Sequence, residues 1–108
     1  MTLRALLPLA VAGAALLAAG CGGRAVDSSS ADSSAGKTLF SQNCGGCHTL
    51  ADAGTTGNVG PNLDQLKPPE KIVEHQVING GGAMPAFKGT LTPAQITAVA
   101  KYVASAAG

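Results

Sequence analysis

The sequence predicts an all-α domain of three to four helices that must wrap around something besides its own side chains. Three observations carry that expectation. The segment Thr92-Pro93-Ala94-Gln95 reads as a capping box, and after it Ile96, Val99, Ala100, Val103 and Ala107 recur at helical spacing. No alternating apolar and polar run reaches strand length. The 108 residues include two Phe, one Tyr and no Trp, too few large side chains for a self-sufficient small core.

In chain order, the first element stands outside the domain. Residues 1–20 place Arg4 ahead of an apolar run, Ala5 to Ala19, interrupted by Pro8. The run falls short of the roughly 20 apolar residues that span a bilayer as a helix. It reads as a signal peptide ending in the small residues Ala18, Ala19 and Gly20. Residues 21–35 are dominated by Ser, Gly and Ala, with Val26 the one sizeable apolar side chain after Cys21. Such a stretch buries too little to offset its ordering entropy and is expected as a flexible tether. The domain proper is then 36–108.

Within it, Lys37–Asn43 is expected as a short first helix with Leu39 and Phe40 inward. Ala51–Asn58, holding Gly54 and Gly57, reads as loop. Pro68-Pro69-Glu70 opens the next helix, with Pro in the first turn and an acid near the positive end. That helix runs to Asn79, and Gly80 is expected as its left-handed cap. The capping box at Thr92 opens the last.

The formal net charge is +1, which gives no electrostatic case for nucleic acid or for a polybasic membrane patch. Lys67, Lys71 and Lys88 are interspersed with Asp64, Glu70 and Glu74 and read as a solvated surface.

The chemistry sits in Cys44-Gly45-Gly46-Cys47-His48. A Cys-x-x-Cys pair has three common readings: a redox dithiol, half a zinc site, or a haem attachment. A closed zinc site needs four good ligands, and the one other Cys is Cys21, with His75 as a third candidate. A thioredoxin-like dithiol would follow a strand, and no strand-like run precedes this one. The adjacent His selects covalent haem c. Cys44 and Cys47 would add across the haem vinyl groups, and His48 would lie under the iron. Gly45 and Gly46 lack Cβ atoms, so the backbone can approach the ring. Cys21 is then left alone, and a spare thiol on an exported chain is a hazard. Its setting resembles the lipobox of bacterial lipoproteins, with Ala18 where Leu is usual. A diacylglycerol on Cys21 would use up the thiol and anchor the chain by two acyl chains. Cleavage nearby, leaving the thiol free, is the alternative. For the far side of the iron the candidates are Met84 and His75. Met84 follows Gly80-Gly81-Gly82-Ala83 and precedes Pro85, a loop able to bring a sulfur to a haem face. His75 sits between Glu74 and Gln76 on the polar side of its helix.

With these residues in place, 36–108 resembles a small single-haem class I cytochrome c. The landmarks occur in order: GKTLFSQNCGGCHTL, VGPNL, AMPAF and a C-terminal helix with Tyr102. The resemblance implies Cys44 and Cys47 as thioether positions, His48 as proximal and Met84 as distal ligand. It implies that the Pro61 carbonyl accepts a hydrogen bond from His48. Gly36 and Phe40 match positions that cross the C-terminal helix at Val99 and Tyr102. The lack of Trp leaves the haem propionates without an obvious aromatic donor.

The expected function is electron transfer, with one haem c cycling between Fe(II) and Fe(III) and no enzymatic turnover. Redox proteins are the expected partners of a monomeric domain, exported and held by lipid at the outer face of the cell membrane. An electron-entry subunit of an oxidase or dehydrogenase is the alternative, and a haem sensor or peroxidase a further one. Without haem the chain is expected to fold poorly.

Overall fold

The structure, a computed structural model, describes residues 28–108. The expected signal peptide, Cys21 and the first part of the tether lie outside the described residues. Four α-helices and one two-stranded antiparallel pair are described: α1 (Ser28–Asn43), β1 (Thr49–Leu50), β2 (Thr55–Thr56), α2 (Leu63–Leu66), α3 (Glu70–Asn79) and α4 (Pro93–Ala106). A 3-10 turn, Ala51–Ala53, joins the strands. No helix among the described residues is long and apolar enough to cross a membrane.

The helix α4 forms for the reasons its sequence gives. The Gln95 N–H donates to the Thr92 hydroxyl at 3.2 Å, and the Thr92 N–H donates back to Gln95 Oε1 at 2.8 Å. Both orphan donors of the capping box are thereby satisfied. Its apolar stripe then buries Ile96, Val99, Ala100, Tyr102 and Val103. The α4 helix packs against both α1 and α3. Against α1 the approach is close because Gly36 has no side chain. A Cβ there would lie 2.5 Å from the Ala98 carbonyl oxygen and 2.6 Å from Tyr102 Cβ. The crossing is completed by Phe40 and Tyr102, whose rings lie 6.1 Å apart at 57°. This tilted geometry suits aromatic quadrupoles better than a face-to-face stack.

Three expectations are corrected. The helix expected over Lys37–Asn43 begins at Ser28, inside the expected tether. Its added turn is exposed at Ser33, Ser34 and Ala35, and the Thr38 hydroxyl donates to the Ser34 carbonyl at 3.0 Å. Apolar content marks where a helix packs, not where its exposed turns begin. Second, the expected loop 51–58 takes part in the strand pair, with Thr49 opposite Thr56 and Leu50 opposite Thr55. Two-residue strands leave no readable alternation. What holds them is Thr55 Oγ1, which donates to the His48 carbonyl at 2.9 Å and accepts from the Leu50 N–H at 3.1 Å. Third, Gly80 has φ 64 and ψ −167, so it is not an αL cap. A helix over Leu63–Leu66 was also not anticipated; Asn62 caps it by accepting from the Asp64 and Gln65 N–H groups.

Tyr102 carries a pH-dependent contribution to this core. Its ring is buried and its hydroxyl donates to Asp52 Oδ2 at 2.6 Å. Burial first, and then the Asp52 carboxylate, raise the phenol well above its ordinary value. The folded state therefore keeps a proton that the unfolded chain releases near pH ~10. That contribution is complete below the unfolded value and is lost as pH rises toward the folded one. Tyr102→Phe is expected to lower stability by ~1 kcal/mol at neutral pH, the partner carboxylate being exposed. It should also flatten the alkaline decline. Denaturant melts of both proteins from pH 7 to 11 test this; parallel curves would show that Tyr102 does not carry the alkaline sensitivity.

Candidate functional site

The Cys-x-x-Cys-His segment follows α1 as a hydrogen-bonded turn. The Cys44 N–H donates to the Phe40 carbonyl at 2.8 Å, and the Cys47 and His48 N–H groups donate to the Cys44 carbonyl at 3.1 and 3.0 Å. One hydrogen-bonded turn therefore carries both sulfurs and the imidazole. Gly45 and Gly46 differ from expectation in what they face. A Cβ on Gly45 would meet Thr55 Cγ2 at 2.5 Å, and one on Gly46 would meet nothing within 4 Å. The glycine at 45 makes room for β2, which pins the segment from outside.

His48 is oriented by the chain thirteen residues on. Its Nδ1 lies 2.8 Å from the Pro61 carbonyl oxygen. A carbonyl only accepts, so Nδ1 is the donor, and in the neutral ring Nε2 holds the lone pair. Gly60 lets the backbone lie flat against the ring: a Cβ there would sit 2.5 Å from His48 Cε1. The Gly60 N–H donates to the Cys47 carbonyl at 2.8 Å, tying this wall to the cysteine turn.

Cys44, Cys47, His48, Pro61 and Met84 all line one cavity of about 480 Å³. That volume lies within the ~300–1,000 Å³ usual for cofactor sites. Its walls include the buried side chains Phe40, Leu63, Val77, Phe87, Val99 and Val103. Val59, Leu66 and Ile72, each more than half exposed, also line it. A flat apolar group seated there would take them out of water. His75, the competing ligand candidate, is exposed on α3 and does not line the cavity. Ile72, Val73, Gln76 and Val77 of the same helix do, at the spacing of one helical face.

The donor set fits a haem and not zinc. Among the described residues no three His, Cys, Asp and Glu side chains converge on a metal position. Cys44 and Cys47 are unbridged thiols. Burial, with Cys47 adding to it, pushes the Cys44 thiol up to about 11. A low-pKa redox dithiol is the opposite case. Two thiols, an imidazole and a thioether in one apolar cavity are what a covalent iron porphyrin requires.

Sequence reasoning missed two groups here. Asp64 read as a surface charge, yet its carboxylate accepts the Ala51 N–H at 2.8 Å and the Gly108 N–H at 3.2 Å. It ties the turn between the strands and the C-terminus to α2. Leu66 and Pro68 line the cavity, but their short helix and its exit gave no periodic signal. Tyr102, the sole tyrosine, spends its hydroxyl on Asp52 and is not a donor toward the cavity.

These features define a helical, covalent-haem electron-transfer protein. Residues 31–103 match the family model described as cytochrome C oxidase, cbb3-type, subunit III. A cytochrome c6 from Picosynechococcus sp. is 44% identical over 89 residues, covering 71% of this chain and 75% of that protein. A cytochrome c6 from Leptolyngbya boryana is 40% identical over 77 residues, covering 68% and 91%. The crystal structure of the c-type cytochrome SorU from Sinorhizobium meliloti superposes with a TM-score of 0.68. It is 46% identical and covers 72% of this chain and 93% of that one. The chain belongs to the c-type cytochrome family and has the class I cytochrome fold. Its cofactor is covalently bound haem c, for which Cys44 and Cys47 are the candidate attachment sites.

Proposed function

We propose that this chain is a one-electron carrier in which His48 Nε2 and Met84 Sδ would hold the haem iron. The observation that carries the reading is the Nδ1–Pro61 contact of 2.8 Å, made by a ring that lines the same cavity as Met84. Haem c supplies the Fe(II)/Fe(III) couple. The protein supplies the rest. The Pro61 carbonyl holds the His48 ring in one tautomer and raises its basicity. Met84 contributes a neutral thioether, and the apolar walls exclude water, so the ferrous state is favoured and the potential is high. If both residues hold the iron in either oxidation state, little of the protein would rearrange on electron transfer and oxygen or peroxide would find no open position, which supports a carrier over an enzyme.

Met84→Ala is expected to abolish the long-wavelength charge-transfer band of Met-ligated ferric haem and to lower the potential. The reduced variant should bind carbon monoxide rapidly, where the parent does not. An unchanged spectrum would remove Met84 as ligand, and rapid, complete carbon monoxide binding by the parent would favour a sensor or peroxidase.

Redox proteins are its partners. Residues 1–20 and Cys21 support export and a lipid anchor on the outer face of the membrane, with 22–35 leading to the domain. The intact mass of the mature protein should show one haem and a diacylglycerol on Cys21; a chain lacking the lipid mass is not anchored this way. The description of the matching family model favours a second reading, an electron-entry subunit of an oxidase. That reading requires stable co-purification with the oxidase, whereas a carrier leaves its partners at moderate salt.

A further inference from the structure

We infer that Gly80 is the positioning residue for Met84, and that the absence of a Cβ at this one position keeps the thioether on the iron. The inference rests on the reading of Met84 as axial ligand. Met84 lies on a loop, and a loop sulfur needs something rigid behind it to stay bound. The structure shows how it is held. The Gly81 N–H donates to the Met84 carbonyl and the Met84 N–H donates to the Gly81 carbonyl, both at 3.0 Å, closing a tight hairpin through Gly82 and Ala83. On the far side, the Phe87 N–H donates to the Val77 carbonyl at 2.8 Å, and both side chains are buried. The Met84 segment is thus clamped to the end of α3 at two points.

Gly80 stands between those points. Its N–H closes α3 on the Gln76 carbonyl at 2.7 Å. Its φ of 64 with ψ of −167 falls in a region essentially reserved for glycine. The returning chain passes directly over its Cα. A Cβ would sit 2.6 Å from the Met84 carbonyl oxygen, 2.6 Å from the Ala86 N and 2.7 Å from the Pro85 carbonyl carbon. All three are backbone atoms, so no side chain can rotate away. A substitution must lift residues 84–86 off α3 or refold the end of the helix, and either displaces the Met84 backbone. Gly54 is the internal control. It also has positive φ, 67, but a Cβ there meets nothing within 4 Å. It lies in the turn between the strands, away from the Met84 hairpin, so substitution strains it without touching residues 80–86.

The test is imidazole binding to the ferric holoprotein, an exchange in which the iron–sulfur bond breaks and an iron–nitrogen bond forms with no change of oxidation state. Gly80→Ala is expected to bind imidazole at least about tenfold more tightly than the parent, as loss of one well-placed contact would allow. Its charge-transfer band should weaken while the helical circular dichroism stays. Gly54→Ala should stay within about twofold of the parent. Gly80→Ala that keeps the band and the parent affinity overturns the inference, as does an equal effect at Gly54. If Gly80→Ala does not accumulate with haem, amide exchange in the parent decides. The Gly81 and Met84 amides should be as protected as that of Phe87, and exchange as fast as that of Gly82 refutes the clamp. Met84→Ala separates the two levels. A band that survives Met84→Ala defeats the ligand assignment itself, whereas a band lost there but intact in Gly80→Ala defeats only the positioning role.

Discussion

Replacing Cys44 and Cys47 together by serine is expected to give a colourless chain with little cooperative structure. The cofactor's cavity, about 480 Å³, is bordered by Phe40, Leu63, Val77, Phe87, Val99 and Val103, which are most of the core. With that space unfilled, these side chains face water or a void, and the burial a flat apolar group would provide, ~25 cal/mol per Å² of apolar surface, is lost. Domains of this size are stable by only about 5–15 kcal/mol. The haem is therefore a structural member of the core as well as the redox centre, much as disulfides or metals are in other small domains. Circular dichroism should show a large loss of helix and no sharp thermal transition. A double variant that melts cooperatively near the parent temperature would show that the polypeptide core suffices without its cofactor.

Gly36→Val is the second large effect. The Ala98 carbonyl oxygen and Tyr102 Cβ stand 2.5 and 2.6 Å from where its Cβ would be placed. One is backbone and the other is the root of a ring wedged against Phe40. Neither yields without moving α1 off α4. Overpacking of this kind costs about 3 kcal/mol, which in a domain this small lowers the melting temperature by about 10–20 °C. The haem spectrum should change little in the folded variant, because neither the His48–Pro61 contact nor the Met84 clamp involves Gly36. Differential scanning calorimetry of the holoprotein checks the first statement and the ferric charge-transfer band the second. A melting temperature within a few degrees of the parent would mean that the helices separate easily at this crossing.

Much of the site was legible because its chemistry needs particular residue types at particular spacings. Cys44, Cys47 and His48 require nothing beyond one hydrogen-bonded turn to come together, and the structure supplies that turn. The capping box at Thr92 forms both of its hydrogen bonds because all its partners lie within three residues. Pro61 was reached through the family resemblance alone. Nothing in the local sequence around it says that its carbonyl would meet a ring thirteen residues away. The α3 helix ends as expected at Asn79, while Pro69 stands just outside it as N-cap.

What could not be read is held by long-range contacts of residues with weak local preference. Thr55 is an ordinary loop threonine until its hydroxyl bridges the His48 carbonyl and the Leu50 amide. Asp64 looked like a solvated acid until its two oxygens gathered Ala51 and Gly108. Gly80 caps α3 as expected, but its conformation is not αL and is set by the chain returning through Met84, Pro85 and Ala86.

By itself the sequence determined the covalent chemistry, the set of candidate iron ligands and the helical face of α4, because each is a property of residues within a turn or two of one another. The tertiary structure decided between Met84 and His75 as cavity residues, fixed the tautomer of His48, and placed α1 against α4 at Gly36. Those outcomes depend on which distant backbones come within a hydrogen bond or a missing Cβ of each other, and spacing along the chain does not encode that distance.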